Sequence, residues 1–276
     1  MASKSQELVE KCSTTQGCFV SEPWKLKIAN SNTVFYIHED LLKKSSPALY
    51  SVCERHWAET QERVYRFDST VPEQVIPLFL SYAYCGDYSM HTRKADHSGH
   101  HTIGQGTIKS EVIKRSATDS NGNNDDNDDK GNLASTQTEP AHPLLLHIQL
   151  YVFADAYIMT DLQKLSRQKI REHLKSLSAL NNENTREMVL DLLEYAFDNL
   201  REEDIMLTLL SLYASYRLGE LRQSSQRLES LMLGSGGKFF RHFLPKITTA
   251  GRDAFSYDDE GLASYARGEG FHNSRS

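Results

Sequence analysis

Residues able to do chemistry are present in this chain, but not at the spacing that chemistry needs. His38-Glu39-Asp40-Leu41-Leu42 opens like the H-E-x-x-H helix of zinc proteases, where two imidazoles one turn apart share the metal. Leu42 stands where the second imidazole belongs, so His38 reads as a locally hydrogen-bonded histidine between a strand and a helix. His91, His97, His100 and His101 crowd together and could catch a transition metal. They sit in a polar stretch whose ordering would cost entropy, so adventitious histidines are the preferred reading and a metal-binding sensor the alternative from another class. Cys12 and Cys18, in the polar N-terminal tail, make a weaker site still. Gly104-Gln105-Gly106 meets Lys109 where a third glycine would stand, and Gly237-Lys238 lacks the remaining phosphate-cradle residues. No G-x-S-x-G elbow occurs. The chain therefore reads as no enzyme, with no cofactor and no metal site.

The 276 residues suffice for one large domain or two small ones, and 39% hydrophobic against 25% charged residues can furnish a core. Lys plus Arg number 31 against 37 for Asp plus Glu, a formal charge of -6, so no whole-chain basic field exists to hold nucleic acid. The N-terminus lacks the apolar run of a signal peptide, and the longest apolar-rich stretch, Leu207 to Tyr216, is too short for a bilayer. Four cysteines form no CxxC pair and no N-x-S/T acceptor occurs, which fits the cytoplasm or nucleus.

The elements follow from periodicity. Trp24, Leu26 and Ile28 alternate with Lys25 and Lys27 as a strand; Asn30-Ser31-Asn32 turns the chain, and Thr33 to Ile37 returns as a hairpin partner. Asp40 to Ser45 is a short helix, and Pro47 can open the next because its missing N–H would be unpaired there. Val64 to Phe67 reads as a third strand, and Glu73 to Tyr84 as a helix with Pro77 in or just past its first turn. From His91 to His142 the apolar pattern vanishes around an acidic N-G-N-N-D-D-N-D-D-K-G-N run, a disordered insertion. Two helices follow, one carrying Leu145, Ile148, Val152, Ala156 and Met159, the next Leu162 to Leu177. On the second, Lys164, Arg167, Lys169, Arg171 and Lys175 read as a solvated face. Residues 183 to 247 are a helical extension: an N-cap at Asn184 with Glu187, a stripe from Val189 to Leu200, its continuation through Tyr216, a helix over Leu221 to Leu233, a Gly-rich stop and a short helix over Lys238 to Ile247. Residues 1–20 and 248–276 read as flexible tails.

Several of these residues together resemble a family. Phe35-x-Ile37-His38, then Leu42, Ser46, Pro47 and Leu49, is similar to the BTB/POZ pattern F-x-V-H-x-x-x-L-x-x-x-S-P-x-F, with every interval kept and only the last Phe changed to Leu49. Trp57-Ala58-Glu59 resembles the hydrophobic-x-Glu step of BTB domains, and Tyr82 to Tyr88, with Tyr84 and Gly86 inside it, the Y-x-Y-T-G-x-Y helix end. Leu146-His147-Ile148 through Tyr151, Ala154-Asp155, Tyr157 and Leu162 resembles the closing helix pair of fungal BTB proteins. The likeness covers about residues 22 to 178, in four motifs in the right order.

The resemblance implies an α+β BTB/POZ fold over 21–178, a small mixed sheet packed by helices, followed by the all-helical extension. It implies a non-catalytic scaffold for protein–protein interaction, through homo-oligomerisation or docking of other protein chains, without nucleic acid or membrane. Some relatives serve as substrate adaptors of cullin ubiquitin ligases, which is the alternative function and would make a cullin the partner. The hydrophobic-x-Glu step belongs to the cullin-facing surface, so Trp57 and Glu59 are the partner-binding candidates. Phe35, Ile37, His38, Leu42, Ser46, Tyr84, Gly86, Tyr88, Tyr151, Asp155 and Tyr157 are expected to serve mainly structure.

Overall fold

The computed structural model describes residues 20–29, 31–55, 62–89, 142–177, 179–247, 255 and 259–266. Strand β1 (Pro23–Ile28) buries Trp24, Leu26 and Ile28 and turns Lys25 outward, as its alternation predicts. β2 (Val34–His38) pairs with it antiparallel, Trp24 opposite Ile37 and Leu26 opposite Phe35. β3 (Val64–Phe67) lies on the other side of β1 and parallel to it, with Leu26 opposite Tyr65. The sheet order is thus β2-β1-β3, mixed in direction. A parallel pair cannot be closed by a tight turn, and the crossover is supplied by α1 (Glu39–Ser45) and α2 (Pro47–Arg55).

Local signals set the ends of these helices. Glu39 and Asp40 occupy the first turn of α1 and Lys43 and Lys44 the last, each sign where the helix dipole favours it. α3 (Val75–Cys85) has Pro77 as its third residue, where no intrahelical N–H bond is lost, and ends at Gly86 in the left-handed region at φ 73°. Ile37, Leu42, Leu49, Phe67 and Phe79 form the centre of the sheet-side core, each buried to within 1%. Phe35 is only partly buried and packs at the rim of that core.

Helix α4 (Pro143–Ala156) is apolar nearly all round because it has two buried faces. Leu150, Phe153 and Ala154 belong to the sheet-side core, whereas Leu144, Ile148 and Tyr151 belong to a second core built from helices. α5 (Thr160–Ser176) is divided in the same way, with Leu162 in the first core and Ile170 and Leu174 in the second. α6 (Glu183–Asn199) and α7 (Ile205–Tyr216) follow; in α7 every residue from Met206 to Ser215 is buried. Then come α8 (Leu218–Leu221), a 3-10 turn (Arg222–Ser224), α9 (Ser225–Leu233), α10 (Lys238–Ile247) and α11 (Asp259–Ala266). The molecule is therefore α+β, a three-stranded mixed sheet with helices followed by a mostly helical part. Among the described residues no helix is long and apolar enough to cross a membrane.

Three expectations are corrected. The cap of α6 is Asn182, whose side chain accepts from the Asn184 amide at 3.0 Å, and Glu187 instead stands 4.0 Å from Arg227. The stretch from Leu221 to Leu233 is not one helix, because a 3-10 turn at Arg222–Ser224 interrupts it. The C-terminal residues are not uniformly a flexible tail. Leu262 of α11 is fully buried, and Phe255 lies 5.7 Å from the Tyr213 ring, under the Lys175 ammonium, with its carbonyl accepting from Arg171 at 3.0 Å. Phe255 and Leu262 both pack in the helical core.

Candidate interaction site

The motif residues meet in space, although they are far apart in sequence. The His38 Nδ1 and Tyr84 hydroxyl lie 2.8 Å apart, joining the end of β2 to α3. Ser46, fully buried, accepts from the Leu49 amide at 3.1 Å and so starts α2; its hydroxyl also donates to the Tyr157 carbonyl at 3.2 Å. Tyr157 packs its ring against Phe153 and Phe67 at 4.9 and 5.7 Å. Tyr151 donates to the Asp204 carboxylate at 2.9 Å, which itself caps α7 by accepting from the Met206 amide at 2.7 Å. Asp155 accepts from Gln163 and Arg201 at 3.1 and 3.2 Å. Most of these bonds are made within the fold, while that of Asp155 to Arg201 lies at the surface.

Tyr88 and His147 form a second buried pair, 3.0 Å apart, with the Tyr88 hydroxyl also 3.3 Å from Ser166 and the His173 ring 6.3 Å from that of His147. Burial pushes the His147 pKa down to about 4, with His173 and Lys169 acting in the same direction. Burial likewise lowers His173 and raises the Tyr88 hydroxyl. His142 caps α4, its Nδ1 accepting from the Leu145 amide at 3.1 Å. Lys169 is held by Asp87 at 2.8 Å and covers the Tyr88 ring, and Lys175 and Arg171 clasp Phe255. The basic face of α5 is thus partly spent within the chain rather than wholly solvated. Among the described residues no group of three or more His, Cys, Asp or Glu could hold a metal ion.

Trp57 and Glu59 lie outside the described residues, as do the insertion histidines His91, His97, His100 and His101, and Cys12 and Cys18. What flanks the Trp57 segment is described, and it is strongly charged. Glu39 receives Lys43 at 2.8 Å, Arg63 at 2.6 Å and the Tyr50 hydroxyl at 2.9 Å, and these, Lys43 first and then Arg63, bring its pKa down to about 2. Arg63 also reaches Glu22 at 3.0 Å, and its backbone sits in the left-handed region at φ 48°. The hub ties the start of β1, α1, α2 and the return into β3 together, directly beside the ends of the stretch that carries the two candidates.

A further surface was not foreseen from the sequence. Between α8–α9 and α10 runs an open groove of about 390 Å³, lined by Leu218, Leu228, Met232, Phe243 and Ile247, with Arg222, Ser225 and Glu229 along one side. On α10 itself Phe240 and Leu244 are 43% and 50% exposed. The only sequence signal was the spacing of residues 218, 222, 225, 229 and 232, hidden by mixed chemistry at those positions. Comparison with protein-family models, with curated proteins and with solved structures gave no match to this chain.

Proposed function

We propose that this chain is a non-catalytic contact module of the BTB/POZ type, acting inside the cell by pairing with itself or docking other proteins. The observation that carries the reading is the convergence of the motifs: His38 on Tyr84, and Ser46 on Tyr157, tie three motifs separated by tens of residues into one core. Polar motif residues that bond to one another within the fold favour a scaffold role. The chain's contribution is then shape and anchors, with Trp57 and Glu59 as the partner contacts. The runner-up is an adaptor that brings a cullin to a substrate.

Light scattering of the full chain over a range of concentrations, with co-elution against a cullin N-terminal domain, tests both. Self-association or a protein complex is expected. Loss of cullin co-elution at about micromolar concentration removes the adaptor reading. A chain that remains monomeric and binds no protein, or a turnover abolished by one side-chain change, overturns the contact-module reading.

A further inference from the structure

The face of the sheet turned away from the sheet-side core is cationic. Trp24, Leu26 and Ile28 point into that core, so the alternate positions of β1, Lys25 and Lys27, point the other way. The register sets Tyr36 and Val64 on either side of Lys25, and Val34 and Arg66 on either side of Lys27. Lys25, Tyr36 and Arg66 are exposed, Lys27 and Val34 half-buried and Val64 buried. The face thus carries three cations and one open aromatic ring, with two valines between them.

The chain does not neutralise these cations itself. Among the described residues the Lys25 and Lys27 ammonium groups and the Tyr36 hydroxyl have no hydrogen-bond or ion-pair partner. Arg66 reaches Glu62 at 3.9 Å, in a pair whose side chains are both more than half exposed. Elsewhere in the same half cations are well paired, Lys43 and Arg63 both on Glu39 at 2.8 and 2.6 Å. Lys27 and Arg66 are cross-strand neighbours on strands about 4.8 Å apart. Like charges set side by side in this way repel and weaken a sheet, and an anion laid between them turns the repulsion into attraction.

Spacing selects the anion. Lys25 and Lys27 are two residues apart on one strand, about 7 Å, and carboxylates at alternate positions of an extended peptide repeat at that same distance. A long polyanion such as nucleic acid is repelled by the formal charge of -6, and a single open ring offers no stacking track.

We propose that this face docks an extended acidic segment of a partner protein, its alternate carboxylates over Lys25, Lys27 and Arg66 and an apolar side chain against Tyr36. The proposal names the partner chemistry for the docking part of the contact-module reading and rests on it.

Fluorescence anisotropy of a labelled peptide of alternating Glu and Ser ending in Phe, titrated with the full chain, tests it. A Kd of about 10–100 µM at low ionic strength is expected, weakening as salt is added. Lys27→Glu and Arg66→Glu are each expected to weaken binding on the order of tenfold or more. Lys27→Glu also places unlike charges across the strands, so its Tm should rise by about 1–4 °C as binding falls, which separates lost docking from lost folding. Lys164→Glu on α5 changes the net charge equally and should leave binding within about twofold. An equal loss in Lys164→Glu, or a wild-type chain that does not bind the peptide at about 1 mM, overturns the face. A dT oligonucleotide bound more tightly than the peptide, and lost in the same variants, overturns the acidic-peptide assignment. None of these results touches the contact-module reading, which light scattering and the cullin co-elution decide.

Discussion

The sheet-side half and the helical half of this molecule are held by different means. The first is an aromatic and aliphatic core closed by neutral contacts between motif residues, His38 with Tyr84 and Ser46 with Tyr157, with its cations Lys43 and Arg63 paired to carboxylates. The second is a leucine-rich core whose connections are stapled by cations onto carbonyls. Arg186, 9% exposed, donates to the carbonyls of Leu180 and Asn181, each at 3.0 Å, and to Gln223 at 3.1 Å. Arg217 donates to the Leu177 carbonyl at 2.8 Å, and the Lys238 ammonium to those of Phe197 and Leu200. Helix connections leave carbonyls without intrahelical donors, and a part made mostly of helices must find donors elsewhere. A sheet instead pairs its backbone groups within itself, so its side chains are free to pack.

The sharpest way to break this contrast is through the helix that the two halves share. Ile148→Ala, on the helical face of α4, and Leu150→Ala, on the sheet face, are each expected to cost about 2–5 kcal/mol. Both should shift one common urea transition followed by circular dichroism; two separated transitions would show that α4 does not couple the halves. Arg186→Ala is expected to cost about 2–3 kcal/mol, because it strands carbonyls that have no other donor, while Arg186→Lys recovers only part of this. An equal loss in a control at an exposed arginine such as Arg201 would remove the special place given to these staples.

Acid sharpens the comparison further. His147 is neutral in the fold, its pKa held down to about 4 by burial, whereas in the unfolded chain it takes up a proton near pH 6.5. Between those values the unfolded chain binds the extra proton. Stability is therefore whole above pH 6.5 and falls as pH drops toward 4, by about 3 kcal/mol in all. His142 and His173, both lowered by burial, add to the fall, while Asp204, raised by burial, opposes it. Urea midpoints measured against pH should show a shallower acid limb in His147→Gln. The smallest effect is expected at Gly86, where an added Cβ meets nothing within 4 Å but the φ of +73° remains. Gly86→Ala should cost about 1 kcal/mol from backbone strain alone, read as a modest drop in Tm.

What the sequence announced was local. Alternation in Trp24, Leu26 and Ile28, the break at Pro47 and the stop at Gly86 each act within a few residues, and the strands and helices they predict are present. What it hid depends on distant neighbours. Arg186 resembles any charged helix residue until the Leu180 and Asn181 carbonyls are seen to converge on it. The 3-10 turn at Arg222–Ser224 leaves the apolar periodicity intact, so the groove beside it was invisible, and Phe255 and Leu262 looked incidental among polar neighbours. The partner candidates Trp57 and Glu59 were legible only through a family likeness, since nothing in their own spacing distinguishes them.

The burial of Trp24 gives this chain an optical division of labour. The protein has two tryptophans, Trp24 and Trp57, and both precede the helical part. Trp24, 2% exposed at the edge of the sheet-side core, emits from a dry environment while that half is folded and shifts to longer wavelength once water reaches it. The helical half carries no tryptophan, so the red shift of Trp24 reports on the sheet side of α4, whereas ellipticity draws on the helices of both sides.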